Sequence, residues 1–184
     1  MGALDLLRRV GALLEGHFQY ASGRHGALYV EKFRLLEDPQ ATADFCKQLA
    51  TATRSHGVEL VVGPTTGGVI VAYETARQLG THAFIAERDG EGDERSLLRG
   101  FQVRPGQRTL VVDDVLTTGG SVRQTIAAVE KAEGLPVAVA VLIDRNGGRT
   151  EFGLPFRSAM TLDIDTYPPD DCPLCRQGVP LIET

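Results

Sequence analysis

Three short apolar runs limit the folds open to this chain more than any other feature. Residues 60–62, 109–112 and 137–143 are almost entirely apolar, and the first two end in glycine-containing turns that lead into segments with helical spacing. Strands that are apolar on both sides are buried on both faces of a sheet. Their alternation with helices predicts an α/β fold with a central, mostly parallel sheet flanked by helices.

The remaining elements follow from the same periodicities. Helices are expected at residues 4–14, where Gly16 ends the pattern, from Pro39 to about Arg54, at 69–79 and at 121–132. Residues 18–31 read as two extended pieces around a turn at 22–26, and 82–86 as a strand. An edge strand at 163–166 and an irregular tail from Tyr167 complete the reading. A length of 184 residues suits one domain.

Composition excludes several classes of protein. The formal net charge of −5 argues against a general nucleic-acid coat. No apolar run approaches the roughly 20 residues of a membrane helix, and the N-terminus lacks the charge-then-apolar order of a signal peptide. We therefore expect a cytoplasmic protein without membrane or nucleic-acid partners. The 3 cysteines, an odd count, argue against a disulfide framework.

The segment 111–121 carries the clearest chemical signal. An apolar strand brings Asp113 and Asp114 to its carboxyl end, which is where ligands bind in an open α/β sheet. A loop of Thr117, Thr118, Gly119 and Gly120 then opens a helix at Ser121, so backbone amides and hydroxyls can hold a phosphate. The acids then suit sugar hydroxyls, a metal, or both. The alternative is a glycine-rich turn with the two acids as caps. A Walker A loop is excluded, because no Gly-Lys-Ser/Thr follows.

This segment resembles the phosphoribosyl pyrophosphate motif of type I phosphoribosyltransferases: apolar residues, two acids, two apolar residues (Val115 and Leu116), then Thr-x-Gly-x-Ser/Thr. The resemblance implies that the acids bind the ribose hydroxyls and that the loop 116–121 holds the 5′-phosphate. The turn 63–68 resembles the family's pyrophosphate loop, which implies contacts from Thr65, Thr66 and Gly67. We predict a cis peptide bond between Thr65 and Thr66.

Three further features resemble orotate phosphoribosyltransferases. They are Ser22-Gly23-Arg24 with Tyr29, Arg145 at the end of a strand, and Glu87-Arg88 followed by a charged segment. The resemblance implies a small hood (mainly residues 1–35 plus the C-terminal tail), a core (about 40–165) and a mobile lid (about 87–99). It also implies that Ser22, Arg24, Tyr29, Thr117 and Arg145 bind orotate. A planar guanidinium suits a ring carboxylate.

The implied reaction converts orotate and phosphoribosyl pyrophosphate into orotidine 5′-monophosphate and pyrophosphate, a step in the synthesis of UMP. Catalysis would depend on Arg88, Asp113 and Asp114. Mg²⁺ would be held mainly by substrate oxygens, with Asp113 as the candidate if a side chain contacts the ion. The family further implies a homodimer whose lid is contributed across the interface.

The chain departs from the orotate pattern at two positions, since Ala21 and Gly67 stand where many members carry lysine. Arg88 is the best match to a lid lysine, and Arg95 or Arg99 are other sources of positive charge. Two alternatives stay open at this point. One is a phosphoribosyltransferase acting on adenine or another purine, and the other is a non-catalytic regulator of the same fold that senses phosphoribosyl pyrophosphate.

Cys172 and Cys175 have the spacing of a zinc-ligand pair, but no second pair stands near them in the sequence. The histidines, which are His17, His25, His56 and His82, show no ligand spacing, and His25 is interpreted as lining the hood. The sequence therefore favours a simple tail turn, and the alternative is a zinc site, either within one chain or shared between subunits.

Overall fold

The computed structural model, which describes residues 3–90 and 92–184, begins with a short helix and a β-hairpin. These elements, with the helix that follows, are α1 (Ala3–Arg9), β1 (Leu13–Gln19), β2 (His25–Val30) and α2 (Lys32–Leu36). The strands are antiparallel, which confirms the predicted hairpin. Its bounds differ, because β1 begins at Leu13, before the predicted start at Phe18, and the turn ends before His25. Residues 1–2 of the predicted hood and residue 91 of the predicted lid lie outside the described residues.

The helix predicted at residues 4–14 was wrong in its second half. Helix α1 ends at Arg9, and Gly11 takes a positive φ of 69°, which reverses the chain direction into β1. Leu14, which continued the helical spacing in the sequence, is exposed on the strand. The apolar period of a short helix and that of the following strand had overlapped by chance.

Helices and parallel strands alternate through the rest of the chain. In order, they are α3 (Pro39–Thr53), β3 (Leu60–Pro64), α4 (Gly67–Leu79), β4 (His82–Arg88), β5 (Arg95–Ser96), β6 (Arg108–Leu116), α5 (Gly120–Lys131), β7 (Leu135–Asp144), β8 (Phe156–Thr161), α6 (Pro173–Arg176) and β9 (Ile182–Glu183). The large sheet has the order β5-β4-β3-β6-β7-β8, and all pairs except β4–β5 are parallel. The α/β prediction is confirmed.

Both faces of this sheet are buried, which explains the uninterrupted apolar runs. In β6, Leu110 and Val112 pack into the cluster that contains α3 and α4 residues, whereas Val111 packs into the cluster on the α5 face. Strand β3 divides in the same way, with Val61 on one face and Leu60 and Val62 on the other. Alternate residues of one strand therefore serve two separate cores.

The neighbouring strands β3 and β6 create a crevice at their carboxyl ends. Helix α4 leads from β3 to β4 on one side, and α5 leads from β6 to β7 on the other. The ladder between β3 and β6 runs from Leu60–Thr109 to Val62–Val111 and stops before Pro64 and Asp113. Connections that leave in opposite directions define the topological switch point of an α/β sheet, where ligands bind.

Two predictions about the C-terminal region were wrong. The edge strand is β8, whereas Asp163 makes an isolated bridge with Asn146. The tail is not irregular throughout, because β9 pairs in parallel with β1 and completes a three-stranded hood sheet. We define the hood here as α1, β1, β2 and the tail from Tyr167. Among residues 3–90 and 92–184, no helix has the length and apolar character needed to span a membrane.

Candidate active site

A cleft opens at the carboxyl ends of β3 and β6, where two adjoining cavities of about 310 Å³ and about 230 Å³ share Asp113, Val115, Thr117 and Ser121. The larger cavity is further lined by Tyr29, Lys32, Pro64, Thr65, Thr66, Asp114 and Arg145. The smaller one is further lined by Arg88, Asp93, Leu116, Thr118, Gly119, Gly120, Val122 and Gln124. The structure therefore brings together most residues that the sequence had assigned to one site.

The two acids at the end of β6 form the floor of the cleft. Asp113 and Asp114 are both buried, and each accepts a hydrogen bond from the next backbone amide, at 2.8 Å from Asp114 N and 2.6 Å from Val115 N. The Oδ2 atom of Asp114 also lies 2.9 Å from Nζ of Lys32. The ammonium group offsets one of the two negative charges.

Among the residues that the structure describes, no cation lies as close to Asp113, and its pKa is raised to about 7. Burial is the main cause and the neighbouring charge of Asp114 is the second, while the Asp114 amide, Lys32 and Arg95 act in the opposite direction. A carboxyl group with this pKa can exchange a proton near neutral pH. It can also gain from any hydroxyl or cation that enters the cleft.

The turn after β3 lies against these acids. The peptide bond between Thr65 and Thr66 is cis, as predicted, and both threonines are exposed to the cleft. A Cβ atom on Gly67 would lie 1.8 Å from Asp114 Oδ2, and one on Gly68 would lie 2.6 Å from Pro64 Cδ. A side chain at either position would therefore require the Asp114 carboxylate or the Pro64 ring to shift from its present place. Gly67 itself is buried and is not among the residues that line the two cavities.

The loop after β6 ends in the N-terminus of α5. Gly119 adopts a φ of 83°, and the helix begins at Gly120. The first amides of a helix lack partners within the helix and carry the positive end of its dipole. Together with the exposed Thr117 and Thr118, they make this end of the cleft suitable for a phosphate group.

A cation and two aromatic rings occupy the opposite end of the cleft. The Cζ atom of Arg145 lies 4.7 Å from the centre of the Tyr20 ring, and Tyr29 lines the same cavity. Burial raises the pKa of Tyr20, and Arg145 opposes that shift. The Nε atom of Arg145 is buried and has no hydrogen-bond partner among residues 3–90 and 92–184. The guanidinium of Arg145 lines the larger cavity, where it can meet an acceptor on a ligand.

Two residues predicted to bind orotate do not reach this cleft. Arg24 donates hydrogen bonds to the hydroxyl and the carbonyl oxygen of Thr166, so its guanidinium fastens the hood turn to the tail. Ser22 accepts a bond from Arg24 N on the same exposed turn. Neither Ser22 nor Arg24 lines either cavity. Tyr29 in β2 lines the larger cavity, whereas the turn of the hairpin does not reach it.

The charged segment 87–99 places its three arginines differently. Arg88, at the end of β4, lines the phosphate end of the cleft and lies 3.9 Å from Asp93. Arg95 is buried behind the cis turn, where it donates to Thr65 Oγ1 at 3.1 Å and to Ala86 O at 2.9 Å. Arg99 forms a two-pronged ion pair with Glu87, at 2.6 and 2.7 Å, on the surface.

Sequence reasoning missed Lys32, Tyr20 and the supporting role of Arg95. Lys32 is one of three lysines in the chain and stands three residues after Tyr29, which was a usable signal. No local pattern could have shown that it reaches Asp114, 82 positions further on, because only the packing of α2 beside α4 brings them together.

Comparisons with known proteins agree on one family. The phosphoribosyl transferase domain model matches residues 36–152. An orotate phosphoribosyltransferase from Desulforamulus reducens is 42% identical over 98% of this chain and 93% of its own length. One from Thermotoga petrophila is 46% identical over 96% and 93%. A crystal structure of the Mycobacterium tuberculosis orotate phosphoribosyltransferase superposes with a TM-score of 0.71 at 30% identity, covering 87% of this chain and 96% of that one.

The raised pKa of Asp113 generates a prediction about stability in the absence of ligands. Because its pKa is about 7 in the folded chain against 3.8 as the ordinary value, its contribution to stability is fully present below about pH 4 and is lost as the pH rises to about 7. We expect Asp113→Asn to raise the melting temperature at pH 7.5 by at least about 3 °C, and by less at pH 5.

The measurement is calorimetry from pH 5 to 8 without Mg²⁺ or phosphate. Asp163→Asn is the matched control, since Arg149 lowers the pKa of this exposed carboxyl and no gain is expected. An equal change in melting temperature at pH 5 and pH 7.5 for Asp113→Asn would contradict the assignment.

Proposed function

Because this chain belongs to the orotate phosphoribosyltransferase family of transferases, we propose that it transfers ribose 5-phosphate from phosphoribosyl pyrophosphate to orotate. The products are orotidine 5′-monophosphate and pyrophosphate, within pyrimidine synthesis. The observation that carries this proposal is the makeup of the cleft, in which a buried acidic pair separates a helix N-terminus from an unpartnered arginine donor. The three parts match phosphate, ribose and a carboxylated base.

The sugar-phosphate half of the substrate would occupy the loop after β6. Amides and hydroxyls of the segment from Leu116 to Ser121 would donate to the 5′-phosphate. The carboxylates of Asp113 and Asp114 would accept hydrogen bonds from the two ribose hydroxyls. Charge-assisted bonds of this kind are about twice as strong as neutral ones. They would hold the ribose in one orientation, with its anomeric carbon facing the larger cavity.

The pyrophosphate half would lie along the turn after β3. Thr65 and Thr66 are exposed there with their hydroxyls, although the Thr65 amide already donates to Ala86 O, and Gly67 keeps the backbone close to the acidic pair. Lys32 would add positive charge near the pyrophosphate, because 39% of its side chain is exposed despite its contact with Asp114. It supplies positive charge where Ala21 and Gly67 do not. Arg88 would add a second cation when the segment 87–99 closes over the leaving group.

The base would occupy the space between Tyr29, Thr117 and Arg145. A ring carboxylate meets a planar guanidinium in a two-pronged hydrogen bond. The contact of Arg145 with the Tyr20 ring holds that guanidinium in position and leaves its Nε atom without a partner. A purine lacks a carboxylate, and it would leave the buried Nε of Arg145 without an acceptor.

We propose Mg²⁺ as the cofactor. The ion would be bound by substrate oxygens and water, and Asp113 is the protein carboxylate available to it. Asp113 suits this role because Lys32 contacts Asp114 and not Asp113, whose pKa is raised. When bound, the ion would neutralise charge on the departing pyrophosphate. The residues of the chain would orient the ribose and exclude water. The carboxylates of Asp113 and Asp114 would stabilise the positive charge that develops at the anomeric carbon.

We also propose a cytoplasmic homodimer with a lid contributed across the interface, as the family resemblance implies. The exposed large apolar side chains of Phe33 on α2 and of Ile70 and Tyr73 on α4 support self-association, because such groups favour burial at an interface. Three free cysteines suit a reducing compartment. Arg88 nevertheless lines the cleft of its own chain, so the origin of the catalytic lid needs a direct test.

A panel of bases tests the proposed acceptor. The full chain is incubated with phosphoribosyl pyrophosphate, Mg²⁺ and either orotate, adenine, hypoxanthine or uracil, and pyrophosphate release is measured. We expect release with orotate alone. Release with adenine or hypoxanthine and none with orotate would overturn the proposed base and leave the family intact. If none of the four bases gives pyrophosphate release, a binding protein becomes the better proposal.

Replacing Arg145 tests how the carboxylate is recognised. Arg145→Ala removes charge-assisted bonds of about 1.5–3 kcal/mol, so we expect the KM for orotate to rise roughly 10- to 100-fold while that for phosphoribosyl pyrophosphate changes little. Arg149→Ala is the control, since this arginine pairs with Asp163 on the surface nearby. An unchanged KM for orotate in Arg145→Ala would refute the assignment.

Replacing Arg88 tests the lid and its origin. We expect Arg88→Ala to lower kcat roughly 10- to 1000-fold with the fold intact, whereas Arg99→Ala, which loses a surface ion pair with Glu87, stays near wild type. Arg88→Ala and Asp113→Asn chains are then mixed so that dimers exchange. A lid acting across the interface restores about a quarter of wild-type activity, because one site in each mixed dimer is complete. A lid acting within its own chain restores none.

A further inference from the structure

Four side chains that the proposed reaction does not use meet where the tail packs on the hood hairpin. They are His17 on β1, His25 at the start of β2, Cys172 just before α6, and Cys175 within α6. One ligand atom of each lies within 4.8 Å of the others. The absence of a second ligand pair near the cysteines in the sequence was misleading, because the hairpin supplies that pair from more than 140 positions away.

The distances inside this cluster fit the edges of one tetrahedron. The Nε2 atom of His17 lies 3.1 Å from His25 Nδ1, 3.5 Å from Cys172 Sγ and 3.6 Å from Cys175 Sγ, and His25 Nδ1 lies 3.3 Å from Cys175 Sγ. Zinc bonds of about 2.3 Å to sulfur and about 2.0–2.1 Å to nitrogen would separate tetrahedral ligands by about 3.4 Å (N–N) and about 3.6 Å (N–S).

A hydrogen bond on the far side of His17 orients its ring. The Nδ1 atom lies 2.8 Å from the carbonyl oxygen of Val179. A carbonyl can only accept, so Nδ1 carries the proton and the lone pair of Nε2 faces the other three groups. Histidine ligands of metals are held in this way by a backbone carbonyl or a carboxylate on the second nitrogen. The contact also involves the tail beyond α6.

Burial and chemistry favour a closed structural site. His17, His25 and Cys172 are buried, at 1%, 4% and 0% exposure, and Cys175 closes the cluster at the surface. Two sulfur and two nitrogen ligands suit Zn²⁺ and not Mg²⁺, which prefers oxygen. We propose that His17, His25, Cys172 and Cys175 bind one structural Zn²⁺ ion.

The ion would fasten the tail to the hairpin that borders the cleft. The tail is also joined to this hairpin by β9 on β1 and by paired 2.8 Å bonds between the backbones of His25 and Tyr167. Both metal-binding strands continue toward cleft residues, since β1 leads to Tyr20 and β2 contains Tyr29. Zinc would therefore set the position of the hood, and its binding does not depend on which base is the substrate.

The test measures zinc in the full chain, purified under reducing conditions from zinc-supplemented cells with any polyhistidine tag removed. We expect about one zinc per chain by plasma mass spectrometry. Cys175→Ser, which changes one exposed sulfur to oxygen, should weaken zinc affinity more than roughly 100-fold in competition with a chromophoric chelator. Cys46→Ala, at a buried free cysteine in α3, is the matched control and should keep the metal.

Two further measurements keep the proposal decidable if a variant misfolds. Co²⁺ added to the metal-free wild type should give the visible absorption of a tetrahedral site and a thiolate charge-transfer band. Removing zinc from the zinc-loaded wild type with a chelator should lower the melting temperature by several degrees or more, because a bound ligand is lost. Adding zinc back should restore it. Zinc below about 0.1 per chain even after direct titration, full zinc retention in Cys175→Ser, or octahedral cobalt spectra would overturn the site.

Discussion

The cleft depends on one constraint, which is that two adjacent carboxyl groups are buried at the end of β6. Their charge is tolerated because the next backbone amides donate to them and Lys32 lies against Asp114. These contacts do not fully offset burial and the neighbouring charge of Asp114, which together raise the pKa of Asp113. Gly67 in the opposite turn fits the same constraint, since a Cβ atom there would displace the Asp114 carboxylate from its present place. A floor that is costly without ligands is suited to bind hydroxyls or a cation.

The sheet places the acidic pair between two turns that are suited to phosphate groups. Because β3 and β6 are neighbours and their following helices leave on opposite faces, the turn at Thr65–Thr66 and the loop before α5 face each other across the crevice. Arg95 supports the first turn from behind, and Gly119 opens the second. One substrate with phosphate groups at both ends of a ribose can therefore span the cleft.

The predictions from sequence succeeded where a signal is local. The strands β3, β4, β6 and β7, the helices α3, α4 and α5, and the cis bond all follow from continuous segments of the sequence. They failed where two segments must meet. The spacing from Leu4 to Leu14 ran through Gly11 without revealing its turn, and the true edge strand, β8, was displaced from the predicted one. The assignment of Arg24 to orotate stays a prediction, and in the structure its guanidinium donates to Thr166 in the tail.

The sequence by itself determined the α/β class, the acidic pair with the glycine-containing loop after it, and the family, because each is encoded in short continuous segments. The tertiary structure alone decided that Lys32 reaches Asp114, that Tyr20 holds Arg145, and that His17 and His25 meet Cys172 and Cys175. These contacts join residues that are distant in the chain. Their geometry is set by the packing of the hood and tail on the core, which no local pattern encodes.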